Sequence, residues 1–92
     1  MENKGTILYV EDDPISYKIA QTFLTKQGYK IQGAENREKA IKAVNENNFD
    51  LILMDLRLFR SKDSEYNVNV GLELTKEIRE SHPKIPIVAL TA

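Results

Sequence analysis

The chain has 92 residues, enough for one domain and one hydrophobic core. Hydrophobic residues at 41% and charged residues at 29% fit a folded globular protein and argue against disorder. The formal net charge of -1 gives no electrostatic reason to expect nucleic acid or an anionic membrane as partner. With no cysteine, disulfides, thiolate catalysis and cysteine-type zinc sites are excluded. No basic-then-apolar leader opens the sequence, and no apolar run is long enough for a bilayer, so the expectation is a cytoplasmic protein.

In chain order, Thr6 to Val10 is β-branched and apolar and stops abruptly at Glu11-Asp12-Asp13-Pro14. A continuous apolar run bounded by a turn signal reads as a buried parallel strand. Asp13 followed by Pro14 predicts a helix start, since Asp accepts from free amides and Pro tolerates the first helical position. Ile15, Ile19 and Phe23 then fall on one helical face, with Ala20 and Leu24 beside them, and Gly28 is placed to end the helix. Tyr29 to Ala34 reads as a short mixed strand. Asn36 is a cap for a second helix whose apolar stripe is Ala40, Ile41 and Val44. Phe49 to Leu56 is the most apolar run and reads as a central strand with Asp55 at its carboxyl end.

The stretch from Arg57 to Asn69 lacks either periodicity and reads as a long loop of the kind that is often functional. Gly71 to Ser81 resumes helical spacing, with Leu74 and Ile78, and Leu72 as a candidate, facing inward. Ile87 to Leu90 reads as a last buried strand, ending in Thr91-Ala92. The order β-α-β-α-β-α-β predicts a parallel sheet with right-handed crossovers and helices on both faces.

Ligands of open parallel sheets bind beyond the carboxyl ends of the strands. Here the first strand ends in Glu11 and Asp12, the third in Asp55 and the fourth in Thr91. If the first and third strands are neighbours, three carboxylates converge. Charges so close repel and raise one another's pKa unless a cation neutralises them. Hard carboxylate oxygens suit magnesium, which binds few protein groups and keeps open positions for a phosphate. An Asp beside such an ion can attack a phosphoryl group and form an aspartyl-phosphate. Plainer readings stand alongside: a solvated turn for Glu11 and Asp12, a helix cap for Asp13, a loop cap for Asp55 and an ordinary strand residue for Thr91. Tyr9, Phe23 and Phe49 read as core and His82 as a helix-end residue. Arg57, Arg60 and Lys62 read as a solvated loop face.

The segments ILYVEDDP, LILMDL, GLELTKEIR and IVALTA, in this order and spacing, resemble those of the response-regulator receiver domain of two-component signalling. The resemblance covers nearly the whole chain, residues 1–92 as one domain. It implies a flavodoxin-like α/β fold with strand order 2-1-3-4. It also implies a phosphoacceptor and not a stand-alone enzyme: Asp55 accepts the phosphoryl group, and Thr91 is the switch hydroxyl with the small Ala92 beside it. Glu11, Asp12, Asp55 and the backbone carbonyl of Arg57 hold Mg2+. The implied partner is a histidine kinase or phosphotransfer protein.

Two departures qualify the transfer. Phe59 holds a position where the family usually has Pro, and the matching Gly is Gly71, which lengthens the loop before it. The sequence also ends at Ala92, ahead of the family's usual last helix-strand-helix and its phosphate-pairing Lys; Lys84 precedes the fourth strand and does not fill that role. The expectation is therefore weak phosphorylation by this chain. The alternative function is a non-phosphorylated interaction module that self-associates through an exposed fourth strand.

Overall fold

A computed structural model describes residues 4–56 and 68–90. Among the described residues seven elements follow one another: β1 (Gly5–Val10), α1 (Pro14–Lys26), β2 (Tyr29–Ala34), α2 (Arg37–Glu46), β3 (Leu51–Asp55), α3 (Val68–Ser81) and β4 (Ile87–Leu90). All strand pairs are parallel, and the sheet order is β2-β1-β3-β4. The parallel sheet is the one the alternating pattern predicts, and its order is the flavodoxin-like arrangement that the family resemblance implies, with β1 and β3 side by side in the middle.

The helix boundaries have local causes. Asp13 caps α1 by accepting from the amides of Ile15 and Ser16, and Pro14 occupies the first turn. Gly28 ends the same helix with φ of 101°, a left-handed value that costs glycine nothing. Asn36 caps α2 by accepting from Lys39 N at 2.9 Å. Helix α3 begins at Val68, three residues ahead of the expected Gly71. Expectations for Arg57, Thr91, Ala92 and most of the polar loop lie outside the described residues.

One face of the sheet carries the main core. Leu8 and Val10 of β1 and Ile52 and Met54 of β3 point to α2 and α3, where they meet Ala40, Ala43, Val44, Val70, Leu74 and Ile78. Each large side chain buried there contributes about 1.5–3 kcal/mol relative to leaving it exposed. Gly71 lets α3 sit directly on the end of β3: a Cβ there would come within 2.6 Å of Leu56 Cα and 2.8 Å of the Asp55 carbonyl oxygen. Between the two helices, Arg37 pairs with Glu77, and His82 Nε2 lies 3.2 Å from Asn45 Oδ1.

The opposite face differs from the sequence expectation. Helix α1 lies on it with no fully buried residue. Ile15, Ile19 and Phe23, the row that helical spacing singled out, are 70%, 67% and 61% exposed. Tyr17 explains the rotation. Its ring stacks over Gly33 of β2, so the side of α1 through Tyr17, Ala20 and Leu24 faces the sheet and Phe23 is not core. Leu72 is likewise half exposed. Strand β4 pairs with β3 and leaves Val88 and Leu90 open to solvent, against the buried strand its apolar run suggested and in line with the exposed strand of the self-association alternative.

Candidate functional site

The site forms at the carboxyl rim of the two central strands. Register pairs Val10 with Met54, so the next step along both strands sets Glu11 beside Asp55. Both side chains follow the face of Tyr9 and Leu53, because alternate residues of a strand share a face. Asp12 stands at the mouth of the β1–α1 turn, and its Oδ1 is shut away from solvent. Ligand oxygens of Glu11, Asp12 and Asp55 all lie within 4.8 Å of one another. The three acids that the sequence singled out from two separate segments therefore converge, as expected if β1 and β3 are neighbours. A cavity of about 230 Å³ opens beside them, lined by Glu11, Asp12, Tyr17, Gly33 and Lys39 among others.

Electrostatics at this rim follow first from burial and then from the neighbouring acids. Burial and a hydrogen bond shared with the Asp55 carboxyl push Glu11 up from 4.5 to about 7. The amide of Asp13, donating to Glu11 Oε2 at 3.3 Å, offsets part of that rise. Asp13 plays a different part. Its carboxylate accepts from Ser16 Oγ at 2.6 Å and from two helix amides, which hold it below the usual carboxylate range. Asp13 is thus a helix cap and stands outside the acidic trio.

Tyr9 is a participant that sequence reading assigned only to the core. It is buried, as expected, but its hydroxyl donates to Glu11 Oε1 at 3.1 Å. Burial and the neighbouring Glu11 charge push the phenol up to about 12, so it remains a donor at neutral pH. The available signal was spacing: a tyrosine two residues before an acid in a strand shares its face.

The donor chemistry fits a small divalent cation. Three carboxylates with ligand oxygens within 4.8 Å of one another gain from a positive ion between them, and all-oxygen sites favour magnesium over softer metals. The same carboxyl-end rim is where open parallel sheets bind ligands.

Comparison with known proteins agrees with this geometry. The response regulator receiver domain family matches residues 7–92, and the chain belongs to that family. It is a receiver domain of two-component signalling. Among curated relatives, the transcriptional regulatory protein ZraR of Klebsiella oxytoca is 36% identical over 86 residues, covering 94% of this chain and 18% of ZraR. Histidine kinase 5 of Arabidopsis thaliana is 31% identical, covering 98% of this chain and 12% of the kinase. The chain thus spans less than a fifth of either relative. Among solved structures, the response regulator TrrA of Thermotoga maritima, in complex with Mg(2+)-BeF, superposes with a TM-score of 0.77 at 34% identity, covering all of this chain and 70% of TrrA. The non-phosphorylated HemR receiver domain of Leptospira biflexa gives 0.80 at 30% identity, covering 97% of this chain and 65% of that one.

Proposed function

We propose that this receiver domain accepts a phosphoryl group on Asp55 from the phosphohistidine of a histidine kinase or phosphotransfer protein. The observation that carries the reading is the convergence of Glu11, Asp12 and Asp55, with ligand oxygens within 4.8 Å, at the rim of β1 and β3. Those three carboxylates would hold Mg2+, and the family pattern adds the Arg57 carbonyl. When bound, the ion offsets the charge of the acids and of the incoming phosphoryl oxygens.

In the transfer, an Asp55 carboxylate oxygen attacks phosphorus. The new O–P bond forms as the P–N bond breaks, and the imidazole leaves and takes up a proton from solvent. Asp55 suits this part because it ends a central strand at the open rim, fixed on one side by Met54 in the core. Glu11 and Asp12 are set by β1 and the turn into α1. The family pattern gives Thr91 the role of the hydroxyl that senses the phosphorylated state and biases a two-state equilibrium. Such a protein acts as a cytoplasmic phosphoacceptor and not as an independent enzyme, and its charge gives no reason to add nucleic acid or membrane as partners.

The test is incubation with acetyl phosphate and magnesium, followed by intact mass measurement. An acid-labile phosphoryl adduct is expected on the wild-type chain and not on Asp55→Ala. Equal labelling of both, or of neither, would remove Asp55 as the acceptor.

A second reading has its own support. Val88 and Leu90 of β4 are 45% and 36% exposed, and an open apolar strand is a template for pairing. On this reading the chain is an interaction module that self-associates through β4. Sedimentation velocity over a range of concentrations should then show a dimer, whereas a monomer throughout would dismiss it.

A further inference from the structure

We propose that Tyr9 is the positioning residue for Glu11: its hydroxyl fixes the carboxylate for the divalent ion, and the ring packing beneath it fixes the hydroxyl. This rests on the reading of the acidic rim as a magnesium site.

The geometry is a short relay from packing to ligand. Tyr9 sits on β1, only 6% exposed, with its backbone locked between β2 and β3 by the registers Tyr9 to Gly33 and Tyr9 to Leu53. Its ring lies against Tyr17 of α1, with centroids 6.0 Å apart and planes inclined by 32°. Tyr17 in turn fits over Gly33, where a Cβ would come within 2.7 Å of its ring. Gly33 is thus the opening that admits Tyr17, and Tyr17 closes over the ring of Tyr9. The phenol that results from this packing points at the rim, and its O–H donates to Glu11 Oε1 at 3.1 Å.

The other oxygen of Glu11 accepts from the Asp13 amide at 3.3 Å, and that amide is held by the start of α1. Besides the hydrogen bond it shares with the Asp55 carboxyl, Glu11 is therefore gripped from behind by one side chain and one backbone group. A glutamate has three rotatable side-chain bonds, and ordering it on binding an ion costs conformational entropy. A hydrogen bond that orders it beforehand removes part of that cost. Partners standing behind metal ligands in this way affect affinity, and their loss typically weakens binding about 10–100-fold. Tyr9 is neutral and lies behind the ligand, so it adds nothing to the charge of the site; its contribution is placement.

The experiment is magnesium titration of the full chain by isothermal titration calorimetry. Tyr9→Phe keeps the ring and removes only the hydroxyl. It should weaken magnesium binding about tenfold while the thermal midpoint stays close to wild type. Tyr29→Phe, at the opposite end of the sheet, should leave affinity unchanged. In a Glu11→Ala background, adding Tyr9→Phe should produce little further loss, because no acceptor is left at position 11 for the hydroxyl to place.

The outcomes separate cleanly. Wild-type chain that takes up no magnesium overturns the magnesium site and this role together. Wild-type chain that binds magnesium no more tightly than Tyr9→Phe overturns the role of Tyr9 and leaves the site standing. A loss in Tyr9→Phe that persists undiminished in the Glu11→Ala background also overturns it, since the hydroxyl would then be acting elsewhere.

Discussion

The two faces of the sheet are built on different principles. Toward α2 and α3, side chains of both central strands interlock with Ala40, Val44, Leu74 and Ile78, and most are fully buried. Toward α1, a single helix rests on two tyrosines and a glycine, and its most apolar row faces solvent. The first face supplies stability. The second aims side chains at the rim, because Tyr9, Glu11, Leu53 and Asp55 all belong to it. A core packed on one side and a lighter, more polar packing on the other lets carboxylates sit at the strand ends without being sealed in the interior.

The contrast should be largest in unfolding experiments. Leu74→Ala removes a fully buried side chain from the first face and should cost about 2–5 kcal/mol in urea unfolding. Phe23→Ala, on the exposed row of α1, should stay within about 0.5 kcal/mol. Comparable losses from the two would show that the faces are equally packed and break the distinction.

A smaller effect is expected in the pH dependence. Glu11 has a folded-state pKa of about 7 against an ordinary value of 4.5, so the folded chain binds this proton more tightly than the unfolded chain. Stability from this group is therefore greatest below about pH 4.5 and falls as pH rises toward 7. The carboxyl is partly exposed, and with solvent screening the loss is on the order of 1 kcal/mol. Urea midpoints measured in EDTA at acidic and alkaline pH should show it, and Glu11→Gln should flatten it. A midpoint that instead climbs over the same interval in wild type alone would mean that Glu11 is stabilised as an anion.

The sequence carried most of this arrangement, and the places where it did not are instructive. A parallel sheet followed from alternating elements, strand order from the family resemblance, and the meeting of Glu11, Asp12 and Asp55 from acids stationed at the ends of strands that this order makes neighbours. Both caps, Asp13 and Asn36, were legible because their chemistry is local. The orientation of α1 was not. Spacing identifies an apolar row, Ile15, Ile19 and Phe23, but which side meets the sheet depends on a fit between Tyr17 and Gly33 that lie far apart in sequence. Strand β4 was read both ways, buried from its apolar run and exposed in the self-association alternative, and the exposed reading holds. An apolar run announces a strand, whereas burial depends on what lies over it. Tyr9 was read as core, which is correct for its ring and silent about its hydroxyl. Arg57 and Thr91, the remaining residues of the family pattern, lie outside the described residues.

The contact between Gly71 and the end of β3 has a mechanical consequence. Main chain rests on main chain there, at distances that leave no room even for a methyl group. Side chains between two elements act as springs, changing rotamer to absorb small displacements; at this joint there is nothing to absorb them. A shift of the peptide that follows Asp55 must be passed to α3 whole, moving the helix as a lever whose far end is tethered by Arg79 to the carbonyls of Pro83 and Ile85, just ahead of β4.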